Sequence, residues 1–313
     1  MVLVSSYSSI SSVQRCHRAR ILRSAMKGCN KTSDALIFGT AYHESIENKD
    51  VEVGVRYLEK HNMEDSIPLL KEMYQRFVVF IARLGIEILE NEVEFKLTWD
   101  EGEYEGKIDA ILKWKDEIYL GEFKTAKYLT LDHIDADAQI TSYLWACDKL
   151  DKYHPKGLIW IGNKKASEKQ PIILKNGHLS VAKNQGVPYN IYEAKAKEMY
   201  GDDIPESIQS YMRWLKVNDN PSIAMVVTHR NEQQKINCER TIKQLMKIEN
   251  EIMTNYREKG ITEALRECIT LPDKMCMQTC LYKDICSAMY VNDGMITDED
   301  VNVYIEGLKE ALW

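Results

Sequence analysis

Residues 105–124 read EGKIDAILKWKDEIYLGEFK, and this stretch predicts a β-hairpin around which the rest of the chain is organised. A run with apolar residues at every second position and a second strand-like run flank the polar pair Lys115-Asp116. Such a pattern is typical of two strands joined by a two-residue turn. With that turn, Asp109 lies directly opposite Glu122 on one face of the hairpin, with Cβ atoms about 5 Å apart.

Asp109, Glu122 and Lys124 have the composition of a metal site. Lys124 follows Glu122 by two residues, so its side chain points to the same face. Two carboxylates at this spacing repel each other unless a divalent cation lies between them, and Mg²⁺ or Mn²⁺ suits oxygen ligands. The lysine adds a positive charge that can orient a water molecule. The alternative is a solvated hairpin that carries its charges on the outer face.

Three further motifs surround the hairpin. Residues 39–43 (GTAYH) have the form G-x-x-x-H, residues 92–95 (EVEF) form a strand-like segment, and residues 139–143 (QITSY) have the form Q-x-x-x-Y. Together with the hairpin acids and lysine, they resemble the PD-(D/E)XK nuclease superfamily. The resemblance is to its RecB-like branch, which includes the iron–sulfur nucleases of CRISPR adaptation, AddB helicase-nucleases and phage exonucleases. Each motif alone is weak, and their shared order carries the resemblance.

The resemblance implies both a fold and a site. The fold is α/β, with a restriction-endonuclease-like mixed β-sheet flanked by helices. The implied metal ligands are His43, Glu92, Asp109, Glu122 and the backbone carbonyl of Phe123. The implied catalytic residues are Asp109, Glu122, Lys124, Gln139 and Tyr143, of which the last two would orient the substrate strand. Glu94 is an open alternative to Glu92, and Gln139 and Tyr143 also suit an ordinary packed helix, since they lie one turn apart.

Four of the eight cysteines form a second candidate site. The first residues of the chain lack the apolar segment of a secretory signal, and an intracellular address favours metal binding over disulfides. The resemblance implies a [4Fe–4S] cluster that joins the N- and C-terminal segments through Cys16, Cys276, Cys280 and Cys286. Zn²⁺ is the alternative metal, because four thiolates also satisfy its tetrahedral geometry.

The cysteine spacing departs from that of the family. Three residues rather than two separate Cys276 from Cys280, and His17 rather than proline follows Cys16. Cys268 is near enough in the chain to compete as a ligand. The remaining three cysteines, Cys29, Cys147 and Cys238, are predicted to be ordinary packed thiols.

The formal net charge of the 313 residues is −7, which is unusual for a protein that binds DNA. Residues 15–31, however, contain several arginines and lysines and no acid, and Lys164-Lys165 is a second basic site. Local neutralisation of phosphates is sufficient for DNA binding. The same basic stretch could equally be a solvated helix face.

These patterns predict a single nuclease domain over residues 1–313, with its core at about 36–175 and elaborations at 1–35 and 190–313. No apolar run is long enough to cross a membrane, so we expect a cytoplasmic protein. The expected function is Mg²⁺- or Mn²⁺-dependent DNA hydrolysis, with exonuclease action on single-stranded or end-bearing DNA in phage recombination or replication, or in CRISPR-type processing. A recombination or replication partner and a homo-oligomer are further expectations. The alternative is a non-catalytic iron–sulfur or zinc-stapled DNA-binding or interaction subunit.

Periodicity also gives a coarse map of the elements. It predicts helices over about 11–27, 37–48, 68–90, 135–150, 190–215, 232–259 and 298–312. It predicts strands over 92–99, 157–161 and 225–228 in addition to the hairpin, with 171–174 as a further strand.

Overall fold

The computed structural model describes residues 3–26, 33–219, 221–268, 276, 280–291 and 296–312. Its centre is a sheet of six described strands. They are β1 (Val4–Ser6), β2 (Glu87–Trp99), β3 (Gly102–Trp114), β4 (Glu117–Ala126), β5 (Gly157–Lys164) and β6 (Ile223–Thr228). β3 pairs in antiparallel fashion with β2 and β4, and in parallel with β1. β5 is parallel to β4 and antiparallel to β6, so the predicted mixed sheet is confirmed.

β3 and β4 form the predicted hairpin in the predicted register, with Trp114 opposite Glu117 and Ala110 opposite Gly121. Lys115 and Asp116 make the turn with φ values of 51° and 61°. Positive φ at both central positions is the type I′ geometry, whose twist matches that of the flanking strands. Aspartate tolerates this conformation but lysine does not favour it, so strand pairing contributes to the stability of the turn.

The described residues form twelve α-helices. They are α1 (Tyr7–Arg15), α2 (His17–Ala25), α3 (Asp34–Glu47), α4 (Val51–Lys60), α5 (Ile67–Leu84), α6 (Ala138–Lys149), α7 (Tyr189–Tyr200), α8 (Glu206–Val217), α9 (Glu232–Lys259), α10 (Ile261–Glu267), α11 (Lys283–Val291) and α12 (Asp298–Leu312). No described helix combines the length and the apolar character that crossing a membrane requires.

Two apolar cores lie on opposite faces of the sheet. One contains Tyr42, Phe77 and Phe123 and packs α3, α4 and α5 against β3, β4 and β5. The other contains Tyr104 and Trp145 and packs α1, α6 and α9 against β2 and β3. Burial on both faces explains why β5 is apolar over most of its length rather than alternating. The sheet is therefore flanked by helices, as predicted.

The N-terminal and C-terminal segments pack together. α1 and α2 share an apolar cluster with α9, α10, α11 and α12, in which Ile21 and Leu265 are fully buried. Glu249 of α9 is also fully buried and accepts hydrogen bonds from Ser5 Oγ at 2.7 Å and from Arg20 Nε at 2.6 Å. Because a buried carboxylate requires such partners, these bonds fix the N-terminal segment on α9.

Several predicted boundaries are wrong for identifiable reasons. The helix predicted to reach residue 90 ends at Leu84, because Gly85 adopts a left-handed φ of 67° and ends it. The helix predicted over 11–27 is α1 and α2, with Cys16 in extended conformation between them. The helix predicted over 190–215 is likewise two helices, since Gly201 ends α7 and Pro205 precedes α8.

Other differences concern elements that the sequence analysis missed or misassigned. β1 and α4 were not predicted, and residues 171–174 contribute an isolated bridge between Ile173 and Leu179 instead of a strand. Cys29, Lys27 and Lys31 lie outside the described residues.

Candidate metal centre

Asp109 of β3 and Glu122 of β4 meet on the hairpin face. The Phe123 backbone N–H donates to Asp109 Oδ2 at 2.7 Å, which fixes the aspartate across the two strands. Lys124 forms an ion pair with Glu122 Oε1. The hairpin register, which the sequence predicted, thus places two acids and a lysine side by side.

His43 and Glu92 complete a group that could hold a metal ion. One ligand atom from each of His43, Glu92 and Asp109 lies within 4.8 Å of the others. His43 Nδ1 is 3.7 Å from Asp109 Oδ1, because α3 packs across the sheet at this point. Glu94, the alternative to Glu92 in the sequence, is exposed instead.

The backbone of Glu92 explains its inward position. Its φ is 53°, a left-handed value that is unfavourable for glutamate, and it lies at the gap in the β2–β3 ladder opposite Asp109. Lys107 of β3 forms an ion pair with Glu92 across this gap. Residues with such unfavourable backbone conformations cluster at functional sites.

Burial dominates the electrostatics of the acids. Desolvation, followed by the charge of Asp109, raises the pKa of Glu122 to about 7, and desolvation also raises the pKa of Asp109. Among the described residues, Glu122 Oε2 is buried without a hydrogen-bond partner. An unpaired buried carboxylate oxygen is costly, and a divalent cation would remove that cost. The donor set therefore fits a hard metal ion with oxygen and imidazole ligands.

His43 and Lys124 respond to burial in ways that suit the same ion. Burial and the charge of Lys124 lower the pKa of His43, so the imidazole is neutral and able to bind a metal near pH 7. A hydrogen bond to the Phe123 backbone orients the ring. Burial alone would lower the pKa of Lys124, but the nearby charge of Glu122 raises it overall, and the lysine stays protonated.

Gln139 and Tyr143 share one face of α6. Gln139 Nε2 donates to Tyr143 Oη at 2.6 Å, and burial raises the pKa of Tyr143 well above its usual range. Phe95 packs edge-on against Tyr143 with ring centroids 5.9 Å apart. Gly106 makes this possible, because a Cβ there would lie 2.4 Å from the Phe95 ring. The glycine of the hairpin motif thus serves the packing beneath α6.

A buried polar network that the sequence did not reveal supports α3. Asn163 of β5 donates to Tyr42 Oη at 3.0 Å and to the Met73 carbonyl at 2.8 Å, and Arg76 donates to Asn163 Oδ1 at 2.8 Å. Tyr42 directly precedes His43, so the network fixes the turn of helix that presents the imidazole. An asparagine within the apolar run of β5 was the available signal, since a buried amide requires partners.

Two clefts open on either side of Lys124 and Thr125. The smaller, of about 240 Å³, runs towards α6, and the larger, of about 610 Å³, runs towards α3. Glu122, Gln139 and Trp160 line the smaller cleft, whereas His43, Glu92 and Lys107 are among the residues that line the larger one. The candidate metal ligands therefore lie where the two clefts meet, and a strand could pass through both.

Comparison with known protein families agrees with this geometry. Residues 4–287 match the PD-(D/E)XK nuclease superfamily. The chain belongs to that superfamily. The superfamily is one of nucleases. No curated protein sequence matches the chain. Among solved structures, the crystal structure of SSO0001 is similar at 13% identity, with 77% of this chain and 76% of that chain covered and a TM-score of 0.28.

The superfamily match does not extend to the iron–sulfur branch. Cys286 of α11 has its pKa raised by burial, with smaller effects from Arg18, Cys16 and Cys280. Burial raises the pKa of Cys268 to about 12, and Cys16 and Cys286 add to that rise. Cys286 therefore interacts electrostatically with Cys16 and Cys280, and Cys268 with Cys16 and Cys286. Among the described residues, no three of these thiols lie within 4.8 Å of one another.

The other cysteines have different environments. Cys276 is partly buried, between stretches that the structure does not describe. Cys147 is buried in the core that contains Trp145, and Cys238 packs against the same core. Burial raises the pKa of Cys147 to about 12 and that of Cys238 to about 11, so both thiols stay protonated, as ordinary packed cysteines do.

The described part of the basic stretch is only partly exposed. Arg18 is buried and donates to the Leu265 carbonyl at 3.0 Å, and Arg20 is paired with Glu249. The interpretation of these two arginines as phosphate-binding residues is therefore wrong, because their side chains join the terminal segments. Arg15 and Arg23 are exposed. Lys165 lines the larger cleft.

Proposed function

We propose that the protein is a Mg²⁺- or Mn²⁺-dependent deoxyribonuclease that acts as an exonuclease on single-stranded or end-bearing DNA. The observation that carries this proposal is the convergence of His43, Glu92 and Asp109 beside Glu122, whose buried Oε2 lacks a partner among the described residues. Lys124 adds a positive charge, which attracts the negatively charged phosphodiester. The two clefts on either side of these residues supply a path for a strand.

The metal ligands in this proposal are His43, Glu92, Asp109, Glu122 and the Phe123 carbonyl. When bound, the ion polarises the scissile phosphate and stabilises the charge that develops on it. Lys124, held beside Glu122 and protonated, donates a hydrogen bond to the attacking water and orients it towards phosphorus.

Gln139 and Tyr143 position the substrate in this proposal. Burial keeps the Tyr143 phenol protonated, so its O–H donates to a phosphate oxygen rather than repelling it. The hydrogen bond from Gln139 fixes the phenol oxygen on the α6 face that lies beside the smaller cleft. Lys107, paired with Glu92, adds positive charge on the opposite side.

We further propose that Cys16, Cys276, Cys280 and Cys286 hold a [4Fe–4S] cluster, with Zn²⁺ as the alternative metal. The electrostatic interactions of Cys286 with Cys16 and with Cys280 support this proposal. The cluster would act as a structural link, because the apolar contacts of α1 and α2 with α9–α12 already bring the two segments together. Cys268, which is also nearby, remains a competing ligand.

The proposal also covers the domain organisation and the biological role of the protein. We infer one nuclease domain over residues 1–313, acting in phage recombination or replication or in CRISPR-type DNA processing, with a partner protein and as a homo-oligomer. The rival function is a non-catalytic iron–sulfur or zinc-stapled DNA-binding subunit. The intact set of Asp109, Glu122 and Lys124 favours the enzyme, since a binding protein has no need of two buried acids.

End-labelled single-stranded and duplex DNA, incubated with the purified protein and Mg²⁺ or Mn²⁺, tests the proposal. We expect stepwise shortening from the ends of single strands, and no cleavage in EDTA. A chain that binds DNA without cutting it under any of these conditions would support the non-catalytic function instead.

A further inference from the structure

Tyr128 lies in the connection between β4 and α6, with 70% of its surface exposed. Among the described residues, no other tyrosine, tryptophan or phenylalanine is exposed to this degree. A large aromatic side chain in water usually marks a contact surface, because its burial on binding is favourable. Tyr128 also lines the smaller cleft, together with Glu122 and Lys124.

The chemistry of the smaller cleft suits a single nucleobase. Its volume is about 240 Å³, and Thr125, His133 and Gln139 supply polar groups around Tyr128. Lys127 Nζ lies over one face of the Tyr128 ring, 5.5 Å from its centroid, so a base would stack on the other face. A nucleotide whose base contacts the ring would therefore have an ammonium group close to its phosphate. Aromatic rings beside positive charge are the usual means of holding unpaired bases without selecting their sequence.

The larger cleft differs in the features that matter for base contact. Its lining includes the acids Glu44 and Glu47 as well as Lys107 and Lys165, and it contains no tyrosine, tryptophan or phenylalanine. No planar apolar side chain is available there for stacking. A base-stacking contact therefore belongs to the α6 side of the metal centre.

We propose that Tyr128 is the stacking residue for an unpaired base of the strand being cut, next to the scissile phosphate. This inference rests on the proposed nuclease function and specifies its substrate. In a duplex, neighbouring bases cover both faces of each base, so the contact requires single-stranded or frayed DNA. Tyr128 is thus a specificity-determining residue, because it selects strands whose terminal bases are unstacked.

The test compares the full-length protein with Tyr128→Ala, Tyr128→Leu and Tyr128→Phe. Binding of single strands that carry 2-aminopurine is measured without divalent metal, and KM and kcat are measured with Mn²⁺. Loss of the ring should weaken binding and raise KM by about 5- to 100-fold, with kcat little changed. Leucine should behave as alanine does, since it lacks a planar face, and phenylalanine should stay within about twofold of the unmodified protein.

A matched control is Leu131→Ala, in the same connection but outside the cleft lining, and it should change nothing. The fluorescence of 2-aminopurine should be quenched on binding to the unmodified protein and to Tyr128→Phe, but not on binding to Tyr128→Ala or Tyr128→Leu. Equal binding and KM for Tyr128→Ala and the unmodified protein would overturn the inference and leave the nuclease proposal intact, as would full function of Tyr128→Leu. Absence of cleavage by the unmodified protein would overturn the nuclease proposal, while the binding and quenching assay would still decide on Tyr128.

Discussion

The hairpin and the cysteine-rich region both gather candidate metal ligands, but they do so in different ways. Asp109 and Glu122 are brought together by adjacent strands and a two-residue turn, so their proximity depends on local pairing. Cys16 and Cys286 are brought together only because α1 and α2 pack against α9–α12. The first site should therefore tolerate loss of its metal without unfolding, whereas loss of a cluster from the second should loosen the link between the ends of the chain.

The largest expected effect concerns the hairpin. Asp109→Asn and Lys124→Ala should each reduce cleavage by about 10³-fold or more, because each removes charge at the reacting phosphate. Far-ultraviolet circular dichroism should change little in either variant. Lys113→Ala is the control, because this lysine lies on the same hairpin and pairs with Asp116 near the turn. Full activity of either site variant would refute the assigned roles.

The cysteine region should show the opposite pattern, with stability as the main readout. Anaerobically purified protein should be brown, with broad absorbance near about 400 nm and about four irons per chain. Cys16→Ala should lower the free energy of unfolding by about 4 kcal/mol more than Cys147→Ala, because only Cys16 would link distant segments. Stoichiometric zinc without iron would contradict the iron–sulfur proposal and leave a four-thiolate site.

Variants of Cys268 and Cys276 test which of these two cysteines binds the proposed cluster. If the proposed ligand set holds, Cys276→Ala should lower the iron content and Cys268→Ala should not. The reverse result would assign the fourth ligand to Cys268, which lies near Cys16 and Cys286. Metal analysis of the two purified variants decides between these outcomes.

A smaller effect should appear in the pH dependence of the metal-free protein. Burial raises the pKa of Glu122 from 4.5 to about 7, so the folded state binds this proton more tightly than the unfolded state. The contribution of Glu122 to the free energy of unfolding is therefore greatest below pH 4.5, and it declines as the pH rises to about 7. The loss is about 3 kcal/mol. Denaturant titrations in EDTA at pH 5 and pH 8 measure it.

Glu122→Gln is the matching control for that measurement, because the amide cannot ionise. Its stability should lack this decline between pH 5 and pH 8. Mg²⁺ or Mn²⁺ should restore stability at pH 8 in the unmodified protein, since the metal binds the ionised carboxylate. An identical pH dependence in both proteins would mean that Glu122 is not the group responsible.

The smallest effect concerns the arginines. Replacing both Arg15 and Arg23 by alanine should weaken single-stranded DNA binding slightly and reduce its salt slope by about 0.7 for each lost phosphate contact. Arg20→Ala should instead lower the free energy of unfolding by about 3 kcal/mol, because it leaves Glu249 as a buried charge. An unchanged salt slope in the double variant would leave Lys165, in the larger cleft, as the place to seek phosphate contacts.

The sequence by itself determined the hairpin, its register and the pairing of Asp109 with Glu122, because strand period and turn length are local properties. The order of motifs also indicated the superfamily and the flanking helices. The sequence predicted helix ends less accurately. α5 ends at Leu84, for example, because Gly85 adopts a left-handed conformation. β1 was not predicted because it has only three residues, whereas α4 was missed although Val51, Val55 and Leu58 recur at helical spacing.

Only the tertiary structure decided which side chains reach the hairpin from elsewhere. Glu92 rather than Glu94 faces His43, because a left-handed backbone at Glu92 breaks the strand alternation on which the sequence argument relied. Arg18 and Arg20 read as exposed charges, but packing of α2 against α9 and α10 turns them inward. Contacts between residues more than 200 positions apart depend on how whole helices pack, and no local pattern in the sequence specifies that packing.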